Sequence, residues 1–168
     1  MTNVTYRELS ADDAEAFRAM RIEASLNSPA SLYPHPEELT QMTLCELEEQ
    51  IAPTPFQSVY GAYLRGELVG IAGARREPLR KIKHRALIWG VYVKASHRGQ
   101  RIARGLLRVL MDNLQATREV SRVYLSVHSQ NIAAGCGYQR NSLLVDGEYV
   151  DEELMELTLS ESESVSPP

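Results

Sequence analysis

Cysteine is nearly absent, with only Cys45 and Cys136 in the chain. With no second Cys or His at ligand spacing, neither a disulfide framework nor a metal site is supported. No apolar run approaches the roughly 20 residues of a membrane-spanning helix. The start, Met1-Thr-Asn-Val-Thr-Tyr-Arg, lacks a signal-peptide core. A cytoplasmic location is the resulting expectation. Cationic excess is missing too: 18 basic against 22 acidic side chains leave a formal charge of -4. That charge holds no general attraction for a phosphate backbone or an anionic bilayer. Nucleic acid and membrane are therefore not expected partners. There is also no Gly-x-x-x-x-Gly-Lys-Ser/Thr run, and the glycines do not fit the dinucleotide fingerprint. A P-loop and a Rossmann site are both unsupported.

What remains is ordinary globular material: 168 residues, 43% hydrophobic and 24% charged, enough for one α/β domain with a core on both faces of a sheet. No repeat or linker divides it, so the expected organisation is one domain over 1–159 followed by a disordered tail, 160–168. Val4 to Leu9 alternates like a half-buried strand. Ser10 or Asp12 then caps a helix carrying Ala14, Phe17, Ala19, Met20 and Ala24. Pro29, Pro34 and Pro36 predict an irregular loop over 27–42. Thr43-Leu-Cys-Glu46 reads as a capping box before a short helix that Pro53 ends.

Ser58 to Arg65 and Leu68 to Arg76 pattern as an antiparallel hairpin. Ala86 to Val93 is apolar on both faces, as a central strand should be. Ile102, Leu106, Leu107, Leu110, Met111 and Leu114 lie at helical spacing within 100–118. Ser121 to Val127 returns as a strand, and a right-handed crossover would make it parallel to the central one. Leu143-Leu-Val-Asp146-Gly147 and Glu148 to Leu159 suggest a last hairpin.

The chemistry concentrates where the central strand runs through Lys94-Ala-Ser-His-Arg-Gly-Gln-Arg101 into the long helix. Free amides at a helix start, backed by its dipole and flanked by Arg98 and Arg101, suit a pyrophosphate. The plain alternative is an ordinary turn with solvated arginines. Arg98-Gly-Gln-Arg-Ile-Ala103, preceded by Trp89-Gly-Val-Tyr-Val93 and followed by Gly105-Leu-Leu107 and Leu125-Ser-Val-His-Ser-Gln-Asn131, resembles the GNAT superfamily of acetyl-CoA-dependent N-acetyltransferases. Its pyrophosphate loop reads Arg/Gln-x-x-Gly-x-Gly/Ala. The resemblance spans roughly Val4 to Leu159.

By that resemblance the fold is a single α/β domain: a mixed, mostly antiparallel sheet, a splayed parallel pair at its centre, and helices on both faces. Acetyl-CoA is the implied cosubstrate. Its phosphates would meet Arg98, Gly99, Gln100, Arg101, Ile102 and Ala103, its pantetheine arm the backbone of Val91 and Val93, and its neighbourhood the Asn131 side chain. The implied reaction is direct attack of a primary amine, of a small molecule or peptide, on the thioester. A backbone amide at or beside Val91 would stabilise the oxyanion.

Two departures stand out. Arg101 replaces the usual glycine, so it either adds a compensating cation or weakens the cofactor site. Asn131 should begin a helix with a Leu-Tyr pair, whereas Ile132 to Tyr138 is short and contains two glycines. The usual tyrosine acid has no counterpart there, and Tyr138 matches only a later aromatic. Either the helix is lost or residues are missing from the chain as written. Tyr92 and His128 are the expected catalytic side chains, with Glu77 and Glu152 as other proton handlers. Tyr149 and Asp151-Glu-Glu153 would suit a cationic acceptor. A homodimer is left open. The competing reading is a degenerate acyl-CoA-binding or partner-binding module without turnover.

Overall fold

A computed structural model describes residues 3–27, 34–128, 138–145 and 148–158. Asn131, the expected tail and the Asp146-Gly147 turn lie outside them. Seven strands form one sheet: β1 (Val4–Glu8), β2 (Gln57–Leu64), β3 (Glu67–Arg76), β4 (Arg85–Val93), β5 (Arg122–His128), β6 (Tyr138–Val145) and β7 (Glu148–Thr158). Their order is β1-β2-β3-β4-β5-β7-β6. β4 and β5 run parallel, and the other recorded pairs are antiparallel. Local turn chemistry sets the β2–β3 register, because Arg65 and Gly66 take φ of 52° and 83° and close a two-residue turn opposite Leu64↔Glu67.

The α-helices among the described residues are α1 (Ala14–Asn27), α2 (Pro36–Gln41), α3 (Leu44–Ile51) and α4 (Ile102–Ala116). α1 buries Ala14, Phe17, Met20 and Ala24, and with α3 covers one sheet face through Leu47, Ile51, Val59, Leu68, Ile71 and Tyr92. Ala19, expected on that stripe, is exposed, and the buried position two residues on belongs to Arg21. α4 buries Ile102, Leu106, Leu110 and Leu114, one residue per turn, against the opposite face. A Cβ at Gly105 would collide with the Tyr6 hydroxyl, so glycine there lets α4 lie close to β1.

α2 corrects the expectation of an irregular loop. Pro36 sits at its first position, where a missing N–H costs nothing, and the His35 amide donates to Glu38 Oε2 at 2.6 Å. β6 likewise begins at Tyr138, five residues before the expected Leu143. The capping box at α3 forms as read: the Glu46 amide donates to Thr43 Oγ1 at 3.2 Å, and the Thr43 amide donates to Glu46 at 2.7 Å.

Asp13 ties the first elements together. Arg7 donates twice to its carboxylate at 2.8 Å, Tyr63 Oη donates at 2.9 Å, and the Ser10 amide donates at 2.9 Å. The Arg7 guanidinium holds the Asp13 carboxyl well below the usual carboxylate range. Burial, then the bond to Asp13, pushes the Tyr63 phenol up to about 12.

Candidate active site

The two parallel strands are paired only at their lower ends. Register partners run from Arg85↔Arg122 to Ile88↔Leu125 and stop, although β4 continues to Val93 and β5 to His128. β5 keeps its other partner throughout, with His128 opposite Glu152 of β7. The divergence has a local cause in β4. On its β3 side Trp89 faces Gly73 and Tyr92 faces Ile71, so Gly90 and Val91 together oppose Ala72. Gly90 takes φ 63°, as the glycine of such a bulge does. The extra residue turns upper β4 away from β5 and opens a fork in the middle of the sheet.

Beyond the bulge, the Lys94 amide donates to Val69 on β3 at 2.9 Å. Backbone groups alternate sides along a strand, so those of Val93 turn toward the fork. The Val93 carbonyl accepts Arg98 Nε at 3.1 Å. The Arg98 guanidinium also lies over the Tyr92 ring, 5.5 Å from its centre. Arg98 is thus drawn back onto the strand that its loop leaves.

A single 3-10 turn, Ala95–His97, leads to Gly99 at φ 78° and Arg101 at φ 62°, ψ 19°. Two left-handed residues so close together fold the chain sharply into α4. The first helical bond joins the Gly105 amide to the Arg101 carbonyl at 3.1 Å. The amides of Ile102, Ala103 and Arg104 before it face out of the helix end, with no acidic residue in the first turn. Gln100 and Arg101 are exposed beside them. This concave, cationic turn has the chemistry to bind an anionic diphosphate. On its outer side Ser96, His97 and Gln100 join Leu64, Arg65 and Glu67 around a recess of about 340 Å³, which no fork residue lines.

Tyr92 is 4% exposed and points to the α1 side. Asn27 Nδ2 donates to its hydroxyl at 3.2 Å, and the hydroxyl donates to Glu23 Oε1 at 3.1 Å. Glu23 and Asn27 escaped the sequence reading. They are one helical turn apart, but their partner lies more than sixty residues away, and no local pattern announces that contact. Glu77 sits at the other end of β4, beside Arg75, Arg85 and Tyr124. Val91 and Val93 pack toward the α4 side. The backbones of His128 and Glu152 adjoin across β5 and β7, and Tyr149 and Asp151 also lie on β7. Among the described residues no helix is long and apolar enough to cross a membrane, and no group of acidic, His or Cys side chains forms a metal site.

An open mixed sheet, forked at the parallel β4–β5 pair and feeding a sharp cationic turn into a helix, is an acetyltransferase architecture. It is shared with solved structures. The acetyltransferase of GNAT family from Streptococcus pneumoniae is 20% identical, with TM-score 0.77 over 94% of this chain and 100% of that one. A Salmonella typhimurium protein solved with its cofactor acetyl-CoA is 20% identical, with TM-score 0.75 over 99% of each chain. A ribosomal-protein-alanine N-acetyltransferase from Brucella melitensis is 22% identical, with TM-score 0.71 over 92% of this chain and 99% of that one. No curated protein matches the sequence. Residues 19–140 match the model of the acetyltransferase (GNAT) family, and the chain belongs to that family.

Proposed function

We propose that this protein transfers the acetyl group of acetyl-CoA to a primary amine of a small molecule or peptide, by direct attack. The observation that carries the reading is the fork with its bulge at Gly90, opening beside the turn at Gly99 and Arg101. The exposed strand edge would take the amide-bearing pantetheine arm as an added strand, through Val91 and Val93. Arg98, Gly99, Gln100, Arg101, Ile102 and Ala103 would hold the pyrophosphate, and Asn131 would contact the arm. Support for acetyl-CoA comes from the Salmonella structure that holds it, and for nitrogen as the acceptor from the Brucella enzyme. Tyr92 is assigned to lining the site and His128 to proton handling.

The test is acetyl-CoA titration by calorimetry, followed by thiol release with a panel of amines. Binding together with amine-dependent release is expected. Arg98→Ala should weaken acetyl-CoA binding about tenfold at low salt, a loss typical of a charge-assisted contact. The left-handed Arg101 in a glycine position favours a second reading, a binding module without turnover. Binding without release for any amine would select it.

A further inference from the structure

The Tyr92 hydroxyl has one proton, and its neighbours fix where it goes. The Asn27 amide nitrogen can only donate, at 3.2 Å, so the phenol oxygen accepts from it. The phenol proton is then committed to the Glu23 carboxylate at 3.1 Å. Tyr92 is buried at 4% exposure, whereas Glu23 is half-buried and open to one side. The arrangement therefore presents a held carboxylate, with the phenol serving as its anchor. Placement adds to this. Tyr92 lies on the part of β4 that has already left β5, and α4 with its turn occupies the opposite face. A cosubstrate entering from the α4 side leaves the α1 side, with Glu23, to the second reactant.

Glu23 stands on α1 one turn before Asn27, the last residue of that helix, so the two side chains reach the Tyr92 hydroxyl from the same helix face. Among the charged groups on the packed elements, Arg98 lies over the Tyr92 ring at 5.5 Å. Arg21, two residues earlier on α1, turns instead to Gln50 and to the Phe17 and Trp89 rings.

We infer that Glu23, anchored by Tyr92, is the carboxylate that takes the proton from the acceptor amine. The inference rests on the acetyl-transfer reading above. An acceptor ammonium gives one proton to a Glu23 oxygen, and the freed nitrogen lone pair forms the N–C bond to the thioester carbonyl. The C–S bond then breaks, the thiolate leaves, and the surplus proton on nitrogen passes to sulfur. Glu23 returns its proton to water. Tyr92 and Asn27 are positioning residues in this step.

The experiment measures thiol release against pH with one fixed amine, for wild type, Glu23→Gln and Tyr92→Phe, alongside acetyl-CoA affinity and thermal melting. Glu23→Gln should lower kcat about 100-fold, keep acetyl-CoA affinity within about twofold, and lose the acidic limb of the kcat profile. Tyr92→Phe should lower kcat less than Glu23→Gln and leave the amine KM nearly unchanged, because the carboxylate keeps its chemistry but loses the anchor that aims it. Wild-type-like kcat and limb in Glu23→Gln would overturn the inference while leaving acetyl transfer intact. If Glu23→Gln melts early, Glu23→Asp decides, since it keeps the carboxylate: partial activity with the limb retained is expected, and a loss as deep as that of glutamine overturns the inference. Absence of amine-dependent release by wild type overturns both.

Discussion

The lower and upper halves of β4 are similar in sequence and different in duty. Ala86 to Ile88 pairs on both sides, with β3 and β5, and buries Ala86 and Ile88 in the core beneath α4. Trp89 to Val93 keeps β3 alone, carries the bulge, and turns the Val93 carbonyl into the fork, where Arg98 meets it. The same apolar strand thus begins as scaffold and ends as site. An internal sheet edge gives a peptide-like ligand hydrogen-bonding groups that a continuous sheet would have consumed.

The largest expected effect sharpens that contrast by making one kind of truncation in each half. Ile88→Ala removes a side chain that is 5% exposed, and should cost about 3 kcal/mol of stability with little change in acetyl-CoA affinity. Val91→Ala, at a half-buried position in the fork, should cost about 1 kcal/mol and weaken acetyl-CoA binding. Denaturant melts with parallel calorimetry check both. Equal loss of affinity from the two would mean that the halves are not functionally distinct.

A smaller effect comes from a region remote from the fork. Asp13→Asn loosens the knot among β1, α1 and β2, and should cost about 2 kcal/mol, a figure already reduced because Arg7 is half-exposed to screening solvent. The native Asp13 pKa is depressed. Its contribution is therefore complete above the unfolded-state value of about 4 and is lost as the pH falls below that toward the native value. Melting temperature against pH should show an acid drop that the asparagine variant lacks, with acetyl-CoA affinity at neutral pH unaltered. Next in size is Gly90→Ala, which forces an L-residue to φ 63°. It should cost about 1–2 kcal/mol, or else shift the bulge and reduce acetyl-CoA affinity. A variant with unchanged stability and affinity would break the link between the bulge and the fork.

Much of this was legible in advance because local chemistry specified it. The Thr43 box, the Arg65-Gly66 turn, the helical spacing of α4 and the parallel return at β5 all follow from short-range pattern. The turn that carries the chain from β4 into α4 was legible for the same reason. The bulge at Gly90 had only a faint signal, a single glycine inside a strand pattern. Pro36 misled, since proline breaks helix interiors but also starts helices, and only the cap distinguishes the two. Ala19 was misplaced on the buried stripe, and Arg21 went unread because a long side chain can lie against Phe17 and Trp89, at 5.5 and 5.4 Å, and be buried as a cation. The Glu23, Tyr92 and Asn27 contact was out of reach, as it joins α1 to β4 across the whole hairpin.

The smallest expected effect concerns Arg101, where geometry and charge make separable demands. Its φ of 62° is one that glycine adopts freely and an L-residue adopts at a cost of about 1 kcal/mol. Its side chain caps nothing in the helix that it precedes. Arg101→Gly should therefore raise stability by about 1 kcal/mol, and Arg101→Ala should leave it nearly unchanged, since alanine pays the same backbone cost. Affinity sorts the variants differently. If the guanidinium faces the phosphates, Arg101→Ala should weaken acetyl-CoA binding severalfold at low salt and less at high salt, because screening shrinks the reach of an exposed charge. Arg101→Gly should recover binding, as the turn relaxes and the amides of Ile102 and Ala103 converge on the ligand. Calorimetry of both variants at two salt concentrations reads the outcome. Unchanged affinity in the alanine variant would remove the side chain from the site and leave the left-handed backbone as the only demand at this position.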